Sequence, residues 1–190
     1  MAAPATMDTS ALRLGELFVN AKGAKSIPIL LPDGKPVMWQ PGPHQVAFEP
    51  SAYNDPAATR VNVCFIPTPD AELCIKGLDA WLINALALES TKYFGSQLSF
   101  DQVKERFQSA SHTSEKGYSC IRCKMNLVGR TGIQCWDTFR QARPIPDFWR
   151  GSLITPKIAV KSVWIMGKDI GCTLELQHAM IDEVVTECPF

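Results

Sequence analysis

Cys120 and Cys123, within YSCIRCKMNLVG at residues 118–129, have the spacing at which two thiolates in a tight turn grip one zinc ion. The residues around them alternate instead. Tyr118, Cys120, Arg122, Lys124 and Asn126 form a polar, partly basic row, and Ser119, Ile121, Cys123, Met125 and Leu127 a mostly apolar one. That alternation predicts a strand, in which residues three apart point to opposite faces, so the two thiols cannot meet on one ion. No second closely spaced Cys or His pair completes four ligands. The sequence therefore requires no metal and no other cofactor.

The polar row offers a different chemistry. An aromatic beside cations on a sheet surface can stack a base while the cations neutralise its phosphate, which makes Tyr118, Arg122 and Lys124 candidate contacts. An ordinary solvated strand face has the same composition. Arg130 follows in a Gly-Arg-Thr-Gly turn. Arg140, Arg143 and Arg150 then interleave with Phe148 and Trp149 in a proline-rich stretch, the composition of a single-strand groove and equally of core aromatics beside exposed arginines. Lys157 and Lys161 share a strand face by spacing, and Trp164 follows them. Catalysis is a poor fit. The three histidines, at 44, 112 and 178, stand in no Ser/Asp or Cys frame, and no phosphate-binding glycine loop is present.

Charge is segregated along the chain. The formal net charge is zero, yet residues 104–168 hold twelve Lys and Arg against four acids, leaving +8 there and −8 elsewhere. A basic half balanced by an acidic half suits a polyanion-binding surface, although chance segregation of solvated charges gives the same totals. With 190 residues, 46% of them apolar, the chain can bury a core without staples, and no apolar run reaches the roughly 20 residues that span a bilayer. Seven scattered cysteines read as reduced, buried thiols rather than a disulfide framework, and the opening MAAPATMDTSA is no secretory leader. An intracellular, reducing compartment is expected.

The elements that must position these residues follow from pattern. Residues 26–31 and 36–40 flank Pro32-Asp33-Gly34-Lys35 and predict a β-hairpin, and strands are expected at 46–49 and over Thr59–Ile66. Thr68-Pro69-Asp70 opens a helix reaching about Glu89, with Leu73, Leu78, Trp81, Leu82, Ala85 and Leu86 on its buried face. Ser99 begins a capping box and a second helix to about Phe107, and 109–117 reads as a polar loop. Strands over 155–166 and 171–181, joined by a short hairpin loop, close the domain. Mainly β with inserted helices (α+β), this order is compatible with an OB-fold-like five-stranded barrel carrying a helical segment between its early and late strands.

The run RGSLITPKIAVKSVWIMGKDIGCTLELQHAMI at 150–181 resembles the closing segment of the single-stranded-DNA-binding proteins of T-seven-like phages and their relatives in large eukaryotic DNA viruses. The likeness rests on a strand with Lys157 and Lys161, the aromatic Trp164, a loop from Gly167 to Gly171 and a last strand with Gln177. It implies an OB fold that coats single strands during replication, recombination and repair, without catalysis or metal. It also implies an acidic C-terminal tail that contacts replication proteins and competes with DNA; Asp182, Glu183, Glu187 and Phe190 stand in that place. The expected organisation is a flexible tail over 1–20, one nucleic-acid-binding domain over 21–181 and a short acidic tail over 182–190. Expected contacts with single-stranded DNA are Tyr118, Arg122, Lys124, Arg130, Arg140, Arg143, Trp149, Lys157, Lys161 and Trp164. A homo-oligomer is compatible with this reading. The competing readings are a β-barrel protein-interaction or structural module without nucleic-acid binding, which uses the same aromatics as an apolar patch, and an RNA-binding OB protein.

Overall fold

The structure is a computed structural model that describes residues 7–21, 23–52, 55–115 and 117–183. Its early strands are short: β1 (Arg13–Leu14), β2 (Phe18–Val19), β3 (Lys25–Leu30), β4 (Val37–Trp39), β5 (His44–Gln45) and β6 (Arg60–Phe65). Three helices follow, α1 (Pro69–Leu88), α2 (Ser90–Phe94) and α3 (Phe100–Arg106). Then come β7 (Phe107–Gln108), β8 (Ser111–Thr113), β9 (Ser119–Asn126), β10 (Gln134–Trp136), β11 (Ala142–Arg143), β12 (Leu153–Met166) and β13 (Asp169–Glu183).

The expected five-stranded barrel is replaced by a single network of thirteen strands among the described residues. The reason lies in β12 and β13. These antiparallel strands are long enough to change partners along their length: β12 pairs in turn with β5, β4 and β3, and β13 with β7, β9 and β10. Register shifts at Lys157/Ile158 and Val160/Ser162 mark bulges, each of which inserts a residue and bends the pair. The turn at 31–35 forms as expected, with Leu31 N–H donating to Lys35 O, but the strands on either side pair with β12 rather than with each other beyond the Leu30–Pro36 bridge. Of the strand expected at 46–49 only a bridge from Val46 to Phe65 forms, directly after β5.

α1 begins as its residues dictate: Thr68 Oγ1 accepts from Ala71 N–H, Pro69 occupies the first turn, and Asp70 and Glu72 meet the positive end of the helix. Leu78, Leu82 and Leu86 are fully buried, each contributing about 1.5–3 kcal/mol, together with Ile75. Leu73, assigned to this face by spacing, is 70% exposed, and Trp81 is half-buried against the core. The Ser99 capping box closes both ways with Gln102. Part of the expected 109–117 loop is β8, held against β9. Beneath the sheet lie Ile121, Cys123 and Met125 of β9, Val61, Val63 and Phe65 of β6, and Leu174 and Leu176 of β13.

Trp149 belongs to this core. It is 3% exposed, which removes it from the expected stacking residues. Its backbone N–H, with that of Arg150, donates to the Glu49 carboxylate at 3.0 and 3.1 Å, so the proline-rich stretch is pinned to the 46–49 segment. The final strand runs to Glu183, past the boundary expected at 181; Asp182 lies within it and accepts from Thr155 Oγ1. Glu187 and Phe190 lie outside the described residues.

Asp79 of α1 carries a cost. Burial pushes its carboxyl up to about 6, against the downward pull of the Ser109 hydroxyl that donates to Oδ2, while Oδ1 is buried with no hydrogen-bond partner among the described residues. The folded chain therefore binds more protons than the unfolded chain between pH 3.8 and about 6, and stability falls as pH rises through that window. Asp79→Asn keeps an acceptor for Ser109 and removes the charge. It is expected to stabilise the fold by about 2 kcal/mol at pH 7 and by nothing near pH 3.5, read by urea unfolding at both values. An equal gain at both pH values would rule out charge burial as the cause.

Candidate nucleic-acid interface

The outer face of the sheet is built by alternation and by the bulges. On β9, Ile121, Cys123 and Met125 point inward, so Cys120, Arg122, Lys124 and Asn126 point outward, and the two cysteines that opened the sequence question part to opposite faces as expected. On β6 the same rule puts Arg60, Asn62 and Cys64 outward. On β13, Glu175 lies between the buried Leu174 and Leu176; the Lys157/Ile158 register shift then passes over Gln177, after which Ala179 and Ile181 face in and His178 and Met180 face out. On β12, Lys157 stands opposite His178 and Ala159 opposite Glu175.

These pairings gather five cations on one face. Lys124 is in register with Glu175 across β9 and β13, and Asn62 with Lys124 across β6 and β9. Arg60 Nη2 and Lys161 Nζ lie 3.4 and 3.5 Å from the two oxygens of Glu175, whose side chain is only 5% exposed. Glu175 thus anchors Arg60 and Lys161. Arg122, Lys124 and Lys157 have no salt-bridge partner among the described residues. Burial, followed by the charges of Arg60 and Arg122, lowers the Lys124 ammonium from its ordinary value. An exposed but partly desolvated ammonium crowded by two guanidinium groups gains from any anion placed beside it.

Aromatic side chains stand at both ends of this patch. Toward the end of β13, Trp136 is outward on β10, its ring 6.3 Å from His178 at an interplanar angle of 29°, with Nε1–H donating to His178 Nδ1 at 3.4 Å. Burial, then Lys157, lowers the His178 imidazole. Toward the start of β13, half-buried Trp164 lies across Gly171: a Cβ on that glycine would come within 2.6 Å of Cε2 and 2.8 Å of Nε1. Glycine is required there because the indole occupies the space. Met180, the partner of Trp136, lies nine positions beyond Gly171, which is roughly 30 Å of strand.

Beside Arg122 the face drops into an open groove of about 820 Å³ between the 47–51 segment and the β8–β9 hairpin. Phe48 and Tyr118, 58% and 72% exposed, stand on it, and the thiols of Cys64 and Cys120 line it.

Of the expected contacts, Arg122, Lys124, Lys157, Lys161 and Trp164 come together on this face, and Tyr118 lies in the adjoining groove. Arg130 is exposed in the turn after β9, and Arg140 is exposed at the β10–β11 hairpin with a φ of 64°. Arg143 is paired opposite the buried Cys135, away from the patch. Arg60, Trp136 and Phe48 were not singled out by sequence. Arg60 sits on the outward parity of the strand expected over 59–66, which was the available clue; Trp136 lies on the three-residue β10, where no strand was expected.

No protein-family model and no curated protein matches the chain. Among solved structures it resembles the single-stranded DNA-binding protein of bacteriophage Enc34 in complex with single-stranded DNA, with a TM-score of 0.50 and 9% identity over 84% of this chain and 92% of that one. A second structure of the single-stranded DNA-binding protein from bacteriophage Enc34 gives 0.49 and 11% over 94% and 96%. The first likeness is one of fold: a mainly β chain with a few helices and one large sheet, shared with a phage single-stranded-DNA-binding protein.

Proposed function

We propose that this protein binds single-stranded DNA with little regard to sequence. The observation that carries the reading is the patch of Arg60, Arg122, Lys124, Lys157 and Lys161 on one sheet face, bounded by Trp136 and Trp164. The cations take phosphates, and the indoles offer π-faces that any base can stack on. The fold shared with a protein solved on single-stranded DNA supports the same reading. Nothing in it calls on catalysis. We further propose the finer role that the C-terminal segment suggested: an OB-type protein of the T-seven-like phage and large-DNA-virus kind, working inside the cell in replication, recombination and repair, with residues from Asp182 onward meeting replication proteins.

The test is fluorescence anisotropy of a labelled mixed-sequence 30-mer, single-stranded and duplex, over a salt series. Tight binding that favours the single strand and weakens with salt is expected, because phosphate contacts release counterions, by about 0.7 of a unit of log–log slope per contact. No binding at low salt by the folded protein would overturn the reading. Stronger binding to the matched RNA would assign the face to RNA instead.

A further inference from the structure

We infer that the groove beside Arg122 seats unpaired nucleobases of the strand whose phosphates lie on the cationic patch. The inference rests on the single-strand reading and adds to it where the bases go. Its floor is β6 and the first half of β9, paired from Cys64–Arg122 to Phe65–Ile121. One wall is the 46–51 segment, tied to β6 through Ala47 N–H on Cys64 O at 2.8 Å and the Ser51–Asn62 bridge. The other is the β8–β9 hairpin, in which Ser114 N–H donates to Tyr118 O at 2.8 Å and Tyr118 N–H donates to Ser114 Oγ at 3.1 Å. Both exposed aromatics therefore sit on backbone fixed by hydrogen bonds before any ligand arrives, which lowers the ordering cost of binding.

The chemistry of the groove separates the two halves of a nucleotide. Phe48, Tyr118 and the thiols of Cys64 and Cys120 present flat or polarizable surface; burial first, then Cys120, pushes the Cys64 thiol up to about 11. Of the two carboxylates that line the groove, Glu49 is held by the Trp149 and Arg150 N–H groups, and Glu72 lies in the first turn of α1. Arg122 belongs to both surfaces, and Lys124 stands two residues further along the same strand. A strand with its phosphates on Arg122 and Lys124 has bases within reach of Tyr118 and Phe48. Bases turned toward a complementary strand cannot enter, so the groove also supplies a reason to reject duplex.

Two measurements on the full chain test this. Saturation with a thirty-residue oligothymidylate is expected to slow alkylation of Cys64 and Cys120 by N-ethylmaleimide at least tenfold, while Cys74 of α1, which does not line the groove, keeps its rate. A Phe48→Ala/Tyr118→Ala variant is expected to bind the oligothymidylate at least thirtyfold more weakly with an unchanged salt slope, and to bind an abasic thirty-residue strand as the parent does. Unchanged alkylation of the two groove thiols, or unchanged affinity of the variant, in a protein that binds the strand in a salt-dependent way would overturn the groove assignment and leave the single-strand reading intact. Failure of the unaltered protein to bind the oligothymidylate at low salt would overturn both.

Discussion

An Arg122→Ala/Lys124→Ala variant is expected to bind single-stranded DNA about a hundredfold more weakly than the parent protein at low salt and to melt no lower. Both side chains are exposed, both lie on the outward parity of β9, and neither has a salt-bridge partner among the described residues. What the native fold carries there is repulsion: the guanidinium groups of Arg60 and Arg122 add to burial in lowering the Lys124 ammonium. Removing two members of that group relieves strain in the free protein and takes two phosphate partners from the complex. The log–log salt slope is expected to fall by about 1.4, twice the single-strand increment, so the two affinities converge as salt rises. Anisotropy over a salt series gives the affinity and slope, and a thermal melt gives the stability. Unchanged affinity and slope would mean that the strand does not cross β9. Lys161 would be a poorer choice, because truncating it leaves the buried Glu175 with one cation fewer, and destabilisation would then mimic lost binding.

What a reader of the sequence can see of this face is what lies within one strand. Alternation over 118–127 separated Cys120 from Cys123 and put Arg122 beside Lys124 on the polar side; spacing put Lys157 and Lys161 together. What brings those pairs to one another is register between distant strands. Arg60 and Glu175 are 115 positions apart and meet because β6 pairs with β9 and β9 with β13. Glu175, an isolated acid to the sequence reader, is for that reason the buried centre of the patch. The Trp136–His178 contact spans 42 positions and depends also on the bulge that turns His178 outward. Bulges explain the failed strand count too: pattern sees β12 and β13 as two continuous strands, whereas each bends and takes three partners along its other edge. Leu73 shows the limit on helices, since 3.6-residue spacing locates a face but not where along α1 the neighbouring elements cover it.

Trp149 and Trp164, alike in composition and both expected to stack bases, are set apart by their surroundings. Trp149→Ala is expected to destabilise the fold by about 3–5 kcal/mol, the cost of emptying a large aromatic site, and to lower the melting temperature by about 10 °C or more. The indole is 3% exposed, and the backbone around it closes the domain: Trp149 N–H on Glu49, Gly151 N–H on Val46 O at 2.8 Å, and Val46 N–H on Ser152 O at 2.9 Å. Below its melting point the variant is expected to keep the salt slope of the parent, because no phosphate contact is lost. Trp164→Ala should do the opposite. Its ring is half-buried and lies across Gly171, so truncation uncovers a glycine in the sheet and costs less stability than emptying the Trp149 site, while the loss of one stacking partner is expected to weaken single-strand binding about tenfold. Urea unfolding and anisotropy on the two variants separate the roles. A Trp164→Ala protein that loses stability as Trp149→Ala does and binds as the parent does would move that end of the face into the core and leave Trp136 as the stacking residue of the patch.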